Sequence, residues 1–144
     1  MIISRKLLLA VLALAPAPAV LAALEVEDGY VRGLPPGVSN TAAYMTLHNP
    51  GAVAVELVGG SAEAAGSVML HTTIDREGML HMEHLHSVSI PAGGSVVLES
   101  GAMHLMLMQL KRTPKAGERV AITLQFADGS AQQIDLPVRS VLDE

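Results

Sequence analysis

The chain has 144 residues, enough for one domain, with no cysteine, no tryptophan, two tyrosines, one phenylalanine and a formal charge of −5. The lack of cysteine excludes thiolate nucleophiles, Cys-ligated zinc and blue-copper centres built on a thiolate, and leaves no disulfide. The acidic balance argues against nucleic acid, which needs a basic face.

The first element in the chain is MIISRKLLLAVLALAPAPAVLA. Arg5 and Lys6 form a short positive region, Leu7 to Ala15 an apolar one, and Val20-Leu21-Ala22 ends in small residues. This pattern predicts a secretory signal peptide over residues 1–22, cleaved after Ala22 or Ala23, and hence a periplasmic location. The apolar run before the prolines is short for a membrane span, no later run reaches membrane length, and no cysteine follows it to take a lipid. Setting aside Arg5 and Lys6 leaves seven of the nine basic residues against all fourteen acidic ones, so residues 23–144 carry a formal charge of −7.

Strand patterns follow at Val26 to Arg32, Ala42 to His48, Val53 to Ser61, Ser67 to Ile74, Met79 to Leu85, Ser95 to Leu98, His104 to Leu110, Arg119 to Phe126 and Ala131 to Val138. Gly- and Pro-bearing turns separate them, as in Asn49-Pro50-Gly51 and Pro91-Ala92-Gly93-Gly94. Ala62 to Gly66 reads as a loop or one helical turn. Short strands about ten residues apart, divided by such turns, predict an all-β sandwich or Greek-key barrel. In VAITLQF (120–126) the even positions are apolar and face a core.

Two stretches combine imidazoles with thioethers. In GAMHLMLMQL (101–110), strand alternation puts His104 and Met106 on one face and Met103, Leu105 and Leu107 on the other. In VMLHTTIDREGMLHME (68–83), a two-residue loop at Arg76-Glu77 sets His71 opposite Met82. A type I turn with a glycine bulge is the alternative, and it rotates Met82 away. His71, Met82, His104 and Met106 are uncharged, borderline-to-soft donors, a set that favours Cu(I) over zinc, magnesium or calcium. Methionine also fills irregular cores, and histidines are commonly solvated. On residue type alone the two readings stand side by side.

The spacing H-x10-M-x21-H-x-M over His71, Met82, His104 and Met106 resembles the PCuA(C) family of periplasmic copper chaperones. The stretches IPAGGSVVLESGAMHLMLMQLKRTPKAGERVAITLQF and PPGVSNTAAYMTLHNPG are similar to its two halves, so the resemblance spans residues 23–144. It implies a cupredoxin-like Greek-key β-barrel holding one Cu(I) at those four residues. It also implies delivery of copper to the binuclear centre of cytochrome c oxidase, with the oxidase copper-site subunit and thioredoxin-fold copper donors as partners. A monomer without enzymatic activity is expected.

The chain departs from the family pattern at Thr73, where a methionine is common, and in the absence of a His/Met-rich extension after VRSVLDE. It also adds His81, His84 and His86 around Met82. These three are read either as an auxiliary metal site for a second ion, Cu(II) or Zn(II), or as solvated side chains. Met45 and Met69 are read as core, Met108 as packing, Met79 and Met103 as shielding for the site, and His48 as a minor candidate. The competing functions are periplasmic copper tolerance or storage, a zinc-dependent hydrolase using His81, His84 and His86 with Glu83 as general base, and a structural or adhesive β-sandwich in which the spacing is coincidental.

Overall fold

Along Arg119–Phe126, Val120, Ile122, Leu124 and Phe126 are buried and the residues between them are not. That period of two belongs to a strand with one face on a core. It recurs through the computed structural model, which describes residues 23–143. The signal-peptide reading of residues 1–22 lies outside the described residues.

Among the described residues ten strands run in order: β1 (Glu25–Gly33), β2 (Thr41–His48), β3 (Val55–Ser61), β4 (Ala65–Arg76), β5 (Met79–His84), β6 (Val88–Ile90), β7 (Ser95–Leu98), β8 (His104–Leu110), β9 (Arg119–Phe126) and β10 (Ala131–Ser140). A 3-10 turn, Val141–Asp143, follows. Seven of the strands close a barrel in the order β4, β8, β2, β1, β10, β9, β3, and β3 pairs back to β4. All these pairings are antiparallel except β1 with β10. The expected all-β Greek-key barrel is the fold. Closure removes most of the sheet edges that an open sheet would leave unpaired.

Three strands lie off the barrel path. β5 extends the sheet beyond β4, β6 pairs with β3, and β7 pairs with β2. The barrel interior holds Val31, Ala43, Met45, Leu47, Leu57, Leu70, Leu105, Leu107, Ile122 and Leu124, all essentially without solvent contact. Each large side chain of this kind contributes roughly 1.5–3 kcal/mol by leaving water. Among the described residues no helix is long and apolar enough to cross a membrane.

The sequence reading misses β6. Val-Ser-Ile offers only one and a half periods of alternation, too few to stand out beside the preceding histidines. Asn49 is what seats this strand. Its buried side chain donates to Val53 O (2.8 Å) and Ile90 O (3.1 Å) and accepts from Gly51 N (3.0 Å). β4 begins earlier than expected, at Ala65, and leaves only Ala62–Ala64 as a turn. Gly66 makes this possible, because a Cβ there would lie 2.5 Å from Gln109 Oε1 and 2.9 Å from its Cβ.

The hairpin joining β4 and β5 differs from both expected forms. Arg76 pairs with Met79, so the loop is Glu77-Gly78, not Arg76-Glu77. Both loop residues have positive φ, 55° and 81°, the signature of a type I′ turn. That turn type matches the right-handed twist of the flanking strands, which types I and II do not. Asp75 supports it by accepting a hydrogen bond from Gly78 N at 2.8 Å. The register moves by two residues: His71 faces His84, and Met82 faces Thr73. A shift of two preserves the face of every side chain. Met82 therefore stays on the His71 side, one diagonal step away.

Candidate metal centre

β4 and β8 run side by side with His71 directly opposite His104 and Met69 opposite Met106. On both strands the alternate residues, Val68 and Leu70, Leu105 and Leu107, fill the barrel interior. The histidines and methionines are thereby forced onto the outer face. β5 continues that face with Met82 and His84. Three strands thus bring the four residues His71, Met82, His104 and Met106 onto one surface.

His104 points away from the barrel core yet is only 3% exposed. Tyr44 stands beside it with ring centroids 6.3 Å apart, and the segment before β8 folds over it. In that segment Glu99 N donates to Met103 O and Ala102 N donates to Glu99 O. Ala102 O faces His104 Nδ1 at 3.1 Å and also accepts from Thr73 N. A carbonyl can only accept, so this contact puts the imidazole proton on Nδ1 and leaves a lone pair on Nε2.

That lone pair has no hydrogen-bond partner among the described residues. His104 Nε2 and His71 Nδ1 are the buried side-chain nitrogen or oxygen atoms without a hydrogen bond among the described residues. Leaving such groups unsatisfied costs roughly 1–3 kcal/mol each, unless something else takes the lone pair. The two rings lie 6.0 Å apart, edge to face. Burial lowers the His71 pKa below 6.5, and the neighbouring His104 and His84 lower it further. The ring is therefore held in the neutral form a metal ion requires.

A cavity of about 360 Å³ opens beside the His104 ring, bordered by Tyr44, Thr73, Met82, His104 and Met106. Met82 is 61% exposed, so one side of the centre is open to an incoming molecule. Among the described residues no three His, Cys, Asp or Glu side chains assemble into a metal-holding group. Met82 and Met106, which border the cavity, offer thioether sulfur beside the imidazole nitrogen of His104.

The histidines His81, His84 and His86 do not gather into one cluster. His81 pairs with Ile74 and alternates to the opposite face of β5 from Met82 and His84, although its atoms edge the cavity. Glu83, on that same opposite face, forms an ion pair with Arg76. The zinc-hydrolase arrangement, with Glu83 as its base, is therefore not built. His84 and His86 do approach each other, with centroids 5.1 Å apart.

Several methionine readings change. Met45 is core as expected, but Met69 is 40% exposed and belongs to the outer face beside His71. Its parity with His71 was visible in the sequence and outweighs its apolar character. Met103 packs against the core and Met79 sits on the far side of the hairpin, so neither shields the centre. His48 is held by Ser95 Oγ at 2.9 Å on the β2–β7 pair.

Known proteins resemble the chain in sequence and in fold. The LpqE-like family model matches residues 24–138. A relative in Leifsonia xyli subsp. xyli, named "Putative lipoprotein Lxx21020", is 35% identical over 117 residues, covering 81% of this chain and 69% of the relative. The solution structure of CuI-DR1885 from Deinococcus radiodurans is 39% identical and superposes with a TM-score of 0.66, covering 85% of this chain and 83% of that one. The apo PCuAC domain of PmoF1, at 23% identity, has a TM-score of 0.68 over 84% of this chain and 97% of its own length. That last likeness establishes the shared cupredoxin-like fold.

Proposed function

The chain belongs to the LpqE-like family, which is of the PCuAC type, and from that membership we propose that it is an exported Cu(I) chaperone rather than an enzyme. The observation that carries this reading is the pair of buried imidazole nitrogens without a hydrogen bond, His71 Nδ1 and His104 Nε2, on the face shared with Met82 and Met106. Two neutral imidazoles and two thioethers form a soft, uncharged set that suits Cu(I) and offers little to Mg(II) or Ca(II). The ligands are His71, Met82, His104 and Met106.

The donor chemistry suits a carrier. A thioether binds without losing a proton and more weakly than a thiolate, and it cannot be lost to a disulfide outside the cytoplasm. The two imidazoles are held on paired strands, whereas Met82 stands in the open on the added strand β5. An acceptor with its own soft donors would displace Met82 first and draw the ion out by successive ligand exchange. The cytochrome c oxidase binuclear centre is the acceptor that the PCuA(C) resemblance supports, and the periplasm the compartment.

Anaerobic titration of residues 23–144 with Cu(I) against a chromophoric competitor tests the binding. The reading expects one tightly held ion and its loss in the Met82→Ala, Met106→Ala double variant. No measurable Cu(I) binding would sink it. Transfer to an isolated oxidase copper-site domain, followed spectroscopically, tests the acceptor separately.

A further inference from the structure

Four imidazoles form a line from the surface into the centre. Consecutive ring centroids are 5.1 Å apart for His86 to His84, 5.9 Å for His84 to His71 and 6.0 Å for His71 to His104. Burial rises along the same line: His86 and His84 are exposed, His71 is half-buried and His104 is buried. Only His71 and His104 among these belong to the proposed ligand set.

The outer pair is held in place by its neighbours. Leu85, between the two histidines, packs against the core, and its N–H donates to Leu70 O at 2.9 Å. With Leu85 turned inward, His84 and His86 turn outward. Ser87 then anchors the segment by donating to Glu56 Oε1 at 2.8 Å, and Val88 enters the β3–β6 pair. The spacing is also chemically suitable. Two imidazoles that share one ion through nitrogens about 2 Å from it have centroids about 6 Å apart when opposed, and less when bent. Each consecutive pair falls in that range.

We propose that His84 and His86 form an outer copper station that captures Cu(I) and passes it to His71. The inference rests on the chaperone reading above and assigns it a loading route. His84 belongs to two consecutive pairs, and so does His71. The ion can therefore exchange one nitrogen at a time, from His86 and His84, to His84 and His71, to His71 and His104, where the thioethers complete its coordination. No electron moves in any step, since the ion remains Cu(I) and each neutral imidazole releases the lone pair it lent. The outer station offers two imidazoles and no thioether, so it holds Cu(I) less tightly than the inner set of two imidazoles and two thioethers, as a relay requires.

The test compares residues 23–144 with the His84→Ala, His86→Ala variant, both checked for fold by circular dichroism. Cu(I) is supplied as its complex with a chromophoric competitor, and loading is followed by stopped-flow absorbance alongside the equilibrium affinity. The station predicts an affinity within about threefold of the unmodified protein and loading slowed by at least about tenfold. Loading at the unmodified rate overturns it. A loss of affinity as large as the loss of rate also overturns it, because His84 and His86 would then be ligands of the inner ion. Failure of the unmodified protein to bind Cu(I) is a different result, which removes the chaperone reading itself. In the Met82→Ala, Met106→Ala variant, sub-stoichiometric Cu(I) should still shift the ring proton resonances of His84 and His86. Unshifted resonances there count against the station.

Discussion

His84 stands directly across the β4–β5 ladder from His71, their rings edge to face with centroids 5.9 Å apart. The two-residue type I′ loop at Glu77-Gly78 produces this pairing. Glu77 occupies a left-handed conformation at φ 55° that asparagine tolerates better than glutamate. Glu77→Asn should therefore stabilise the hairpin by a few tenths of a kcal/mol, about 0.5, without changing the register. Gly78→Ala, forced to φ 81°, should cost about 1 kcal/mol. Amide hydrogen exchange in β5 is the measurement, since this edge strand opens locally before the barrel does. Equal exchange rates in the two variants would show that the loop conformation does not control the hairpin.

The orientation of His104 gives a second prediction. Ala102 O fixes the proton on Nδ1, so the apo protein should carry the Nδ1–H tautomer at neutral pH. Long-range nitrogen–proton NMR correlations of the imidazole report this directly. An Nε2–H tautomer would leave no lone pair facing the centre and would remove His104 from the ligand set.

Stability and metal binding should separate cleanly between Leu105 and Met82. Leu105 is fully buried inside the barrel, and truncation to alanine should cost about 2–5 kcal/mol, a large share of the roughly 5–15 kcal/mol holding a domain together. Met82 is mostly exposed, and Met82→Ala should change unfolding free energy by no more than about 0.5 kcal/mol. The same Met82→Ala change should weaken Cu(I) at least about tenfold, equivalent to about 1.4 kcal/mol. Denaturant melts and competitor titrations on the two variants check both halves. A Met82→Ala protein with unaltered Cu(I) affinity would exclude Met82 as a ligand.

Much of this organisation was legible in the chain, and the part that was not has a definite cause. Strand alternation alone separates His104 and Met106 from Leu105 and Leu107, because burial enforces a period of two wherever one face meets a core. The same rule applied to β4 places Met69 outside with His71, yet apolar character invited the opposite reading. The hairpin register was harder. Asp75-Arg76-Glu77-Gly78 is compatible with several turn types, and no side chain in it reveals that Glu77 adopts positive φ. Cross-strand pairing is a non-local property, so the approach of His84 to His71 and of His84 to His86 emerges only once the ladder and the Leu85 anchor are known. Tyr44, beside His104, is likewise brought there by the β2–β8 pairing rather than by any local signal.

Acid should reveal how His71 is held. Burial lowers its pKa in the folded protein, and the His104 and His84 rings lower it further, whereas the unfolded chain has the ordinary value of 6.5. Below pH 6.5 the unfolded chain therefore takes up a proton at this position that the folded protein refuses. Folding stability from His71 is fully present above pH 6.5 and is lost as the pH falls from there through the lower, folded-state value. His71→Gln cannot titrate, so the stability of the unmodified protein relative to this variant should decline over that interval and level off beneath it. Denaturant midpoints measured at half-unit steps from pH 8 to about pH 4 resolve the trend. A difference that rises on acidification would mean that His71 gains a proton more readily in the folded protein, and that its ring is not the neutral donor that the paired strands β4 and β8 present.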